Sequence, residues 1–337
     1  MGRIYSAVED DSLATTDDIE DCYRYLLRRE PDPEGLTHWS KYTQSKRLGL
    51  RALWKAFVDS PEFQERCLPL PAMAAVPERY WCMETNGFRI YLDRRDSLVS
   101  ASIAVHGYEP HVTAMIRQLL NPGSVFLDLG ANVGYFTLLA ASLVGEYGQV
   151  IAFEPRPDNA ALLTLSIHEN RFSNVILHAL AVAECEQEFK VYPSEMSSLS
   201  HVVEAGRSMS APQWSYTVRA VALDKFLADL PRLDIVKADI DGNEIRAFRG
   251  MRELIRRHRP VLVFEFAPSL LVEISRAAPE TLLEDVWGHS YDIFILERDR
   301  NQTRGPQNVQ GILDAYTCSG STHVDLIAYP KRENNVG

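Results

Sequence analysis

V-F-L-D-L-G-A-N-V-G-Y, residues 125–135, decides the fold. It opens as a short run of strand formers, and Asp128 stands near its end. Gly130 and Gly134 follow at the spacing D-x-G-x-x-x-G, and a helical pattern continues from Gly134 to Val144. Glycine lets a backbone approach a ligand where a side chain would block it. In open α/β sheets, ligands bind at the carboxyl ends of the strands, where such a loop lies. Residues 128–134 therefore form a candidate ligand loop.

The spacing excludes two common ligand classes. A dinucleotide fingerprint reads G-x-G-x-x-G, but Asn132 occupies the place of its second glycine. A phosphate-binding P-loop needs Lys and then Ser or Thr after its last glycine, whereas Tyr135 and Phe136 follow Gly134. A second acid points to a nucleoside. Glu154 ends the apolar run Val150–Phe153, 26 residues after Asp128. An acid there can accept both ribose hydroxyls.

Outward from the loop, strand and helix patterns alternate. Strands are expected at Val125–Leu129, Val150–Phe153, Asn174–Leu180, Leu233–Ala238, Val261–Phe266, Ile293–Leu296 and Val324–Tyr329. A helix is expected at Asp158–Asn170, with others between most of the later strands. Alternation of this kind builds right-handed crossovers and a parallel sheet. The expected fold is α/β, a doubly wound Rossmann-like sheet, mostly parallel with an antiparallel last strand. No helix is evident between Ile293–Leu296 and Val324–Tyr329, so these two are expected to form a hairpin at the end of the sheet.

Composition narrows the function classes. The 337 residues are 46% hydrophobic and 24% charged, with a net charge of −11. Sequence-independent nucleic-acid binding relies on clustered Lys and Arg, which this balance disfavours. The basic run at Arg252–Arg259 reads as a solvated helix face. The five cysteines are scattered, with no C-x-x-C, so neither a disulfide framework nor a zinc site is expected. No run approaches the roughly 18 apolar residues of a membrane span. The polar start carries no secretory signal, and a cytoplasmic location is expected.

Three prolines within Leu68–Pro77 mark a linker, taken as 71–80. It separates a helical module at 1–70 from the α/β domain at 81–337. In the module, Tyr23, Leu26 and Leu27 fall on one helical face, and Leu50, Leu53, Trp54 and Phe57 on another. E-P-D-P-E-G at 30–35 reads as the turn between them.

With these motifs in hand, Phe88–Lys331 resembles the FkbM family of S-adenosylmethionine-dependent methyltransferases. The motifs in order are Y-L-D-R-R-D-S at 91–97, G-Y-E-P at 107–110, the loop at 125–135 and I-A-F-E-P-R-P-D-N at 151–159. A-L-D-K-F at 222–226, D-I-V-K-A-D-I-D-G-N-E at 234–244 and R-P-V-L-V-F-E-F at 259–266 complete the set. The family pattern K-x-D-V-E-G-x-E has aspartate in place of its glutamate here, at Asp241. The N-terminal part, from R-R-E-P-D-P-E-G-L-T-H-W to S-P-E-F at 60–63, resembles an uncharacterised bacterial helical module that often accompanies glycan-related enzymes.

The resemblance implies O-methylation of a hydroxyl on a sugar, glycan or small metabolite, with S-adenosylmethionine as methyl donor. The cofactor-binding candidates are Glu109, Asp128, Gly130, Ala131, Asn132, Gly134, Glu154 and Ala181. The catalytic candidates are Asp239, Lys237 and Glu265. Asp239 ends a strand beside the expected methyl position and would act as base or orient the acceptor. Lys237 is two residues earlier and shares its face, because strand side chains alternate. Asp241 and Glu244 have the D-x-x-E spacing of a helix capping box. Asp239, Asp241 and Glu265 could together offer oxygens to a divalent metal, but no metal is assigned. His201 is an alternative base. Methylation of nitrogen or of a macromolecule is the competing activity. A non-catalytic cofactor-binding protein that docks or self-associates through its helical module is the competing class.

Overall fold

In the computed structural model, the residues described are 14–25, 30–49, 53, 56–57, 60, 79–105, 107–192, 201–204, 216–297 and 302–331. The expected linker falls outside them, except for its last two residues.

Two helices are described near the N-terminus, α1 (Thr16–Tyr25) and α2 (Pro33–Lys46). The expected turn at 30–35 instead opens α2. Asp32 caps the helix by accepting from the Gly35 N–H at 2.7 Å, and Pro33 sits where a missing donor costs nothing. Tyr23, Leu53 and Phe57 are fully buried, and Trp39 stacks on Phe57. A Cβ at Gly35 would meet the Tyr23 hydroxyl, so this glycine allows α1 and α2 to pack.

The α/β part begins with a hairpin of β1 (Tyr80–Thr85) and β2 (Phe88–Asp93). Asn86 and Gly87 turn it, both with positive φ, the backbone such tight hairpins need. Helices α3 (Val99–Val105) and α4 (Pro110–Leu119) lead into the central sheet. Its first half runs β3 (Val125–Leu129), α5 (Tyr135–Val144), β4 (Gln149–Phe153), α6 (Pro157–Glu169) and β5 (Val175–His178). Four strands follow: β6 (Ala181–Val182), β7 (Gln187–Tyr192), β8 (His201–Glu204) and β9 (Tyr216–Val221). They form a separate four-stranded sheet, which the sequence reading does not anticipate. The second half runs β10 (Ile235–Ala238), α7 (Glu244–Arg249), α8 (Arg252–His258), β11 (Val261–Phe266), α9 (Pro279–Gly288) and β12 (Tyr291–Glu297). It ends with β13 (Gln302–Gln307), α10 (Val309–Ser319) and β14 (Val324–Pro330).

The central sheet has the order β13-β12-β14-β11-β10-β3-β4-β5. From β11 to β5 all neighbours are parallel, and β14 is antiparallel to both β11 and β12. This is the expected doubly wound fold with an antiparallel last strand. The expected antiparallel pairing of β12 and β14 is present, but their direct connection and edge position are corrected. β13 and α10 intervene, and β14 inserts between β12 and β11 rather than extending the edge. Helix α10 carries Val309, Ile312, Leu313 and Tyr316 at helical spacing, packed on the core, a stripe that the sequence reading overlooks.

Apolar side chains cover both faces of the sheet. Phe126, Leu138, Val150 and Leu163 pack on one face, with Leu127, Ile151, Phe248 and Phe264 on the other. The chain moves outward from β3 toward β5, then returns to lay β10 on the other side of β3. The switch point of the sheet therefore lies between β3 and β10, the place where open α/β sheets bind ligands.

Candidate functional site

At the switch point, backbone crowding fixes the geometry. The Gly130 and Ala131 N–H groups both donate to the Phe153 carbonyl at 3.0 Å, tying the loop after β3 to the end of β4. Gly130 has φ +83, and a Cβ there would stand 1.9 Å from the Asp239 carbonyl oxygen. Only glycine lets the two loops touch at this point. Gly134 has a different role. With φ +98 it opens α5, and its missing side chain makes room for Leu163 of α6.

A cleft with about 580 Å³ of empty space, partly open to solvent, lies over these loops. Gly130, Asn132, Glu154 and Ala181 of the expected cofactor set line it, together with Asp239 of the expected catalytic set. Ala131 is buried behind the loop. Asn132 serves its own loop, accepting from the Val133 N–H at 2.8 Å, and it also faces the cleft. Glu154 is 4% exposed and accepts from the Asn132 and Arg156 N–H groups, each at 2.8 Å. Burial pushes its carboxyl up to about 7, against the pull of those donors and of Arg156.

Asp128 is buried behind the residues that line the cleft. One oxygen accepts from the Thr137 hydroxyl at 2.6 Å, and the other is buried with no hydrogen-bond partner. Its in-register neighbour on β10 is Lys237. Lys237 is 4% exposed, reaches Asp239 at 3.1 Å and stands 4.7 Å over the Phe136 ring. Burial disfavours its charge. Asp239, Asp128 and Glu109 outweigh burial and hold the ammonium protonated above its ordinary range. The Asp239 side chain remains 28% exposed, so it meets both Lys237 and the cleft.

A second group of ionisable side chains gathers beyond Asp239. Glu109 has φ +40 and does not cap α4 through its side chain. Burial, then the Asp239 charge, pushes it up to about 8. Glu265 pairs in register with Asp325 and lies 3.1 Å from His323 Nδ1. Burial and the charges of Asp239, Glu244, Asp241 and Asp325 push it well above the usual carboxylate range. Asp325 in turn meets buried His111 at 2.6 Å, and His323 Nε2 lies 4.0 Å from the same Asp325 oxygen. Glu265, His323, Asp325 and His111 thus form a chain of ionisable groups running inward. Sequence reasoning misses all of it but Glu265. The alternation of His323 and Asp325 on β14 is a faint signal, and nothing ties it to His111 far away.

The capping-box expectation is corrected. The cap residue of α7 is Asn243, and Asp241 sits in the turn before it with φ +51. Glu244 does reach back, but to the Ile240 and Gly242 N–H groups at 2.9 and 3.3 Å. Asp241 is free to line the cleft. The side chain of His201 lies outside the described residues. Among the described residues, no three of His, Cys, Asp and Glu are arranged to hold a metal ion. Nor is any helix among them long and apolar enough to cross a membrane.

Comparison with known proteins bears on this site. Residues 128–287 match the family model of the methyltransferase FkbM domain, and residues 70–183 match that of protein-L-isoaspartate(D-aspartate) O-methyltransferase. Over 157 residues the chain is 22% identical to the hexuronic acid methyltransferase AglP of Haloferax volcanii, covering 46% of this chain and 61% of that relative. The match therefore spans less than two thirds of the relative. Among solved structures, the methyltransferase FkbM of Methylobacillus flagellatus aligns at 16% identity with a TM-score of 0.37, covering 95% of this chain and 61% of that one. An O-methyltransferase of Bacillus cereus in complex with SAH aligns at 14% identity with a TM-score of 0.40, covering 68% and 86%.

The residues fit S-adenosylmethionine. Glu154 lines the cleft with its carboxylate buried, Gly130 leaves room for a close ligand, and one buried Asp128 oxygen has no hydrogen-bond partner among the described residues. Residues 128–287, which carry much of this cleft, are similar to the methyltransferase FkbM domain.

Proposed function

We propose that the protein is an O-methyltransferase whose acceptor is a hydroxyl of a sugar, glycan or small metabolite. One observation carries this reading: the cleft that fits the cofactor ends at Asp239, a carboxylate held in place by a buried lysine. The bound cofactor supplies an activated methyl group. The protein then has to orient a hydroxyl and remove its proton, which together can account for much of the rate.

Asp239 is the base or the orienting acceptor in this reading, and Lys237 fixes its direction. Glu265 offers a further hydroxyl contact, backed by His323 and Asp325. Glu109, Asp128, Gly130, Ala131, Asn132, Gly134, Glu154 and Ala181 form the cofactor side. Carboxylates and imidazoles accept hydrogen bonds from hydroxyls, which suits a polyhydroxylated acceptor. The hexuronic acid activity of the AglP relative supports a sugar. Residues 1–70 are a separate helical module joined through 71–80 to the catalytic domain at 81–337, and the module docks a partner or a second copy. A cytoplasmic site of action, where Cys22, Cys82, Cys185 and Cys318 stay as thiols, belongs to this reading.

The test is incubation of the full chain and methyl-labelled cofactor with a glycan and metabolite extract, with and without a chelator. Label should appear as an O-methyl group on a carbohydrate or alcohol, and the chelator should not reduce it. Label confined to nitrogen or to protein would sink the reading.

A further inference from the structure

Asp241 is the one cleft carboxylate whose charge the protein leaves unanswered. Glu154 receives two backbone N–H groups, Asp239 pairs with Lys237, and Glu244 is held by the turn backbone. No hydrogen bond or ion pair reaches the Asp241 side chain among the described residues. Arg156, on the facing loop, is committed to Asp158. The Asp241 backbone is also held at φ +51, a conformation that costs free energy in a non-glycine residue and is often kept for function. As it caps no helix, it has no local structural task.

Its place in the cleft indicates what would compensate it. Asp241 feels Asp239 and Glu244 from its own segment, and Glu154 and Arg156 from the loop after β4. Glu265 on β11 and Tyr108 before α4 also feel its charge. It lines the same cleft as Glu154 and Asp239. In S-adenosylmethionine, the sulfonium is attached one carbon from the ribose and faces the acceptor. A ligand held at Glu154 with its methyl toward Asp239 brings that cation past Asp241.

We infer that Asp241 reads the charge of the cofactor, pairing with the sulfonium of S-adenosylmethionine and losing its partner in the uncharged thioether S-adenosylhomocysteine. This inference rests on the cofactor assignment above. Methylation of a hydroxyl turns the sulfonium into a neutral thioether and releases one proton. After transfer, Asp241 faces no cation, and the product cofactor is held less tightly than the substrate cofactor. Burial, then Asp239, Glu244 and Glu154, holds the Asp241 carboxyl well above its usual range, so it takes up a proton easily when no cation is present. Binding of the sulfonium form expels that proton, and binding of the thioether does not. Glu154 and Glu109 titrate nearby, but in the proposed reading both belong to the cofactor side, where the two ligands share their ribose and amino-acid parts. Their contributions cancel when the two are compared.

The test is calorimetric titration of the full chain with S-adenosylmethionine and with S-adenosylhomocysteine. Each titration is run in two buffers of different protonation heat, at several pH values. The sulfonium form should release more protons than the thioether. The affinity ratio should favour it increasingly as pH rises, by up to about tenfold per pH unit. Asp241→Asn should abolish the extra proton release and bring the ratio close to one. Asp241→Gly should do the same while suiting the backbone, which guards against a folding defect in the first variant. Asp241→Glu should keep discrimination. Equal proton release for the two ligands in the natural protein would overturn the inference. So would a ratio unchanged in both Asp241→Asn and Asp241→Gly. Binding of neither ligand to the natural protein would overturn the cofactor assignment as well, and that result cannot be confused with equal binding of both.

Discussion

The two halves of the cleft are built on different principles. On the β3–β4 side, backbone geometry does most of the positioning. Gly130 and Ala131 hang from the Phe153 carbonyl, and Glu154 is fixed by two N–H groups. On the β10–β11–β14 side, ionisable side chains from distant segments meet, with little backbone support. His111, Lys237, Asp239, Glu265, His323 and Asp325 depend on one another for charge and direction. A cofactor whose adenosine and amino-acid parts stay the same through turnover suits the first construction. An acceptor whose proton must be taken suits the second.

The largest expected effect breaks the rigid half. Gly130→Ala must shift either loop and also adopt φ +83, so a loss of roughly 2 kcal/mol or more is expected. Cofactor affinity should collapse with it, as measured by titration and thermal melting. Gly134→Ala also has positive φ, but its clash is with the end of the Leu163 side chain. It should cost stability while sparing more of the cofactor affinity.

Next in size, Glu154→Gln removes a charged acceptor for ribose hydroxyls and sets an amide against a backbone N–H. Loss of a hydrogen bond to a charged group is worth about 1.5–3 kcal/mol, which corresponds to roughly 10–100-fold in cofactor affinity. A change under about threefold would remove Glu154 from the ribose role.

The smallest effect is a pH dependence of the ligand-free protein. Glu109 is raised to about 8, and Glu154 and Glu244 to about 7. A carboxyl whose folded pKa exceeds its unfolded value binds more protons when folded. Its contribution is fully present below about pH 4 and is lost as pH rises toward those raised values. The melting temperature without cofactor should therefore decline from mildly acid to mildly alkaline pH. Glu244→Gln should flatten part of that slope. Cofactor binding should run the other way at Glu154, since only its ionised form accepts both hydroxyls. A melting temperature that rises over this range would contradict the assigned burial of these acids.

The same contrast explains what the sequence made legible. The loop at 128–134 and Glu154 are readable because a strand end followed by glycine has few backbone solutions. Strands β3, β4, β10 and β11 are readable because a parallel sheet buries them on both faces. Asp241 is misread because D-x-x-E spacing does not reveal the left-handed turn that takes it off the helix. The His111–Asp325 contact joins α4 to β14 across most of the chain, and no local pattern encodes it. Helix α10 and the second sheet are hidden for a related reason. Their periods are present but brief, with Val309, Ile312, Leu313 and Tyr316 on α10 and alternating Phe189, Val191, Val218 and Ala220 on the second sheet, set among polar residues that mask them.

The most direct measurement asks whether the two halves separate. Asp239→Asn is compared with the natural protein for cofactor affinity and for labelled-methyl transfer to the extract. The account predicts affinity within about threefold and transfer reduced by roughly 100-fold or more, the range expected for loss of a positioned base. Equal loss of both would assign Asp239 to the cofactor side, and undiminished transfer would remove it from the chemistry.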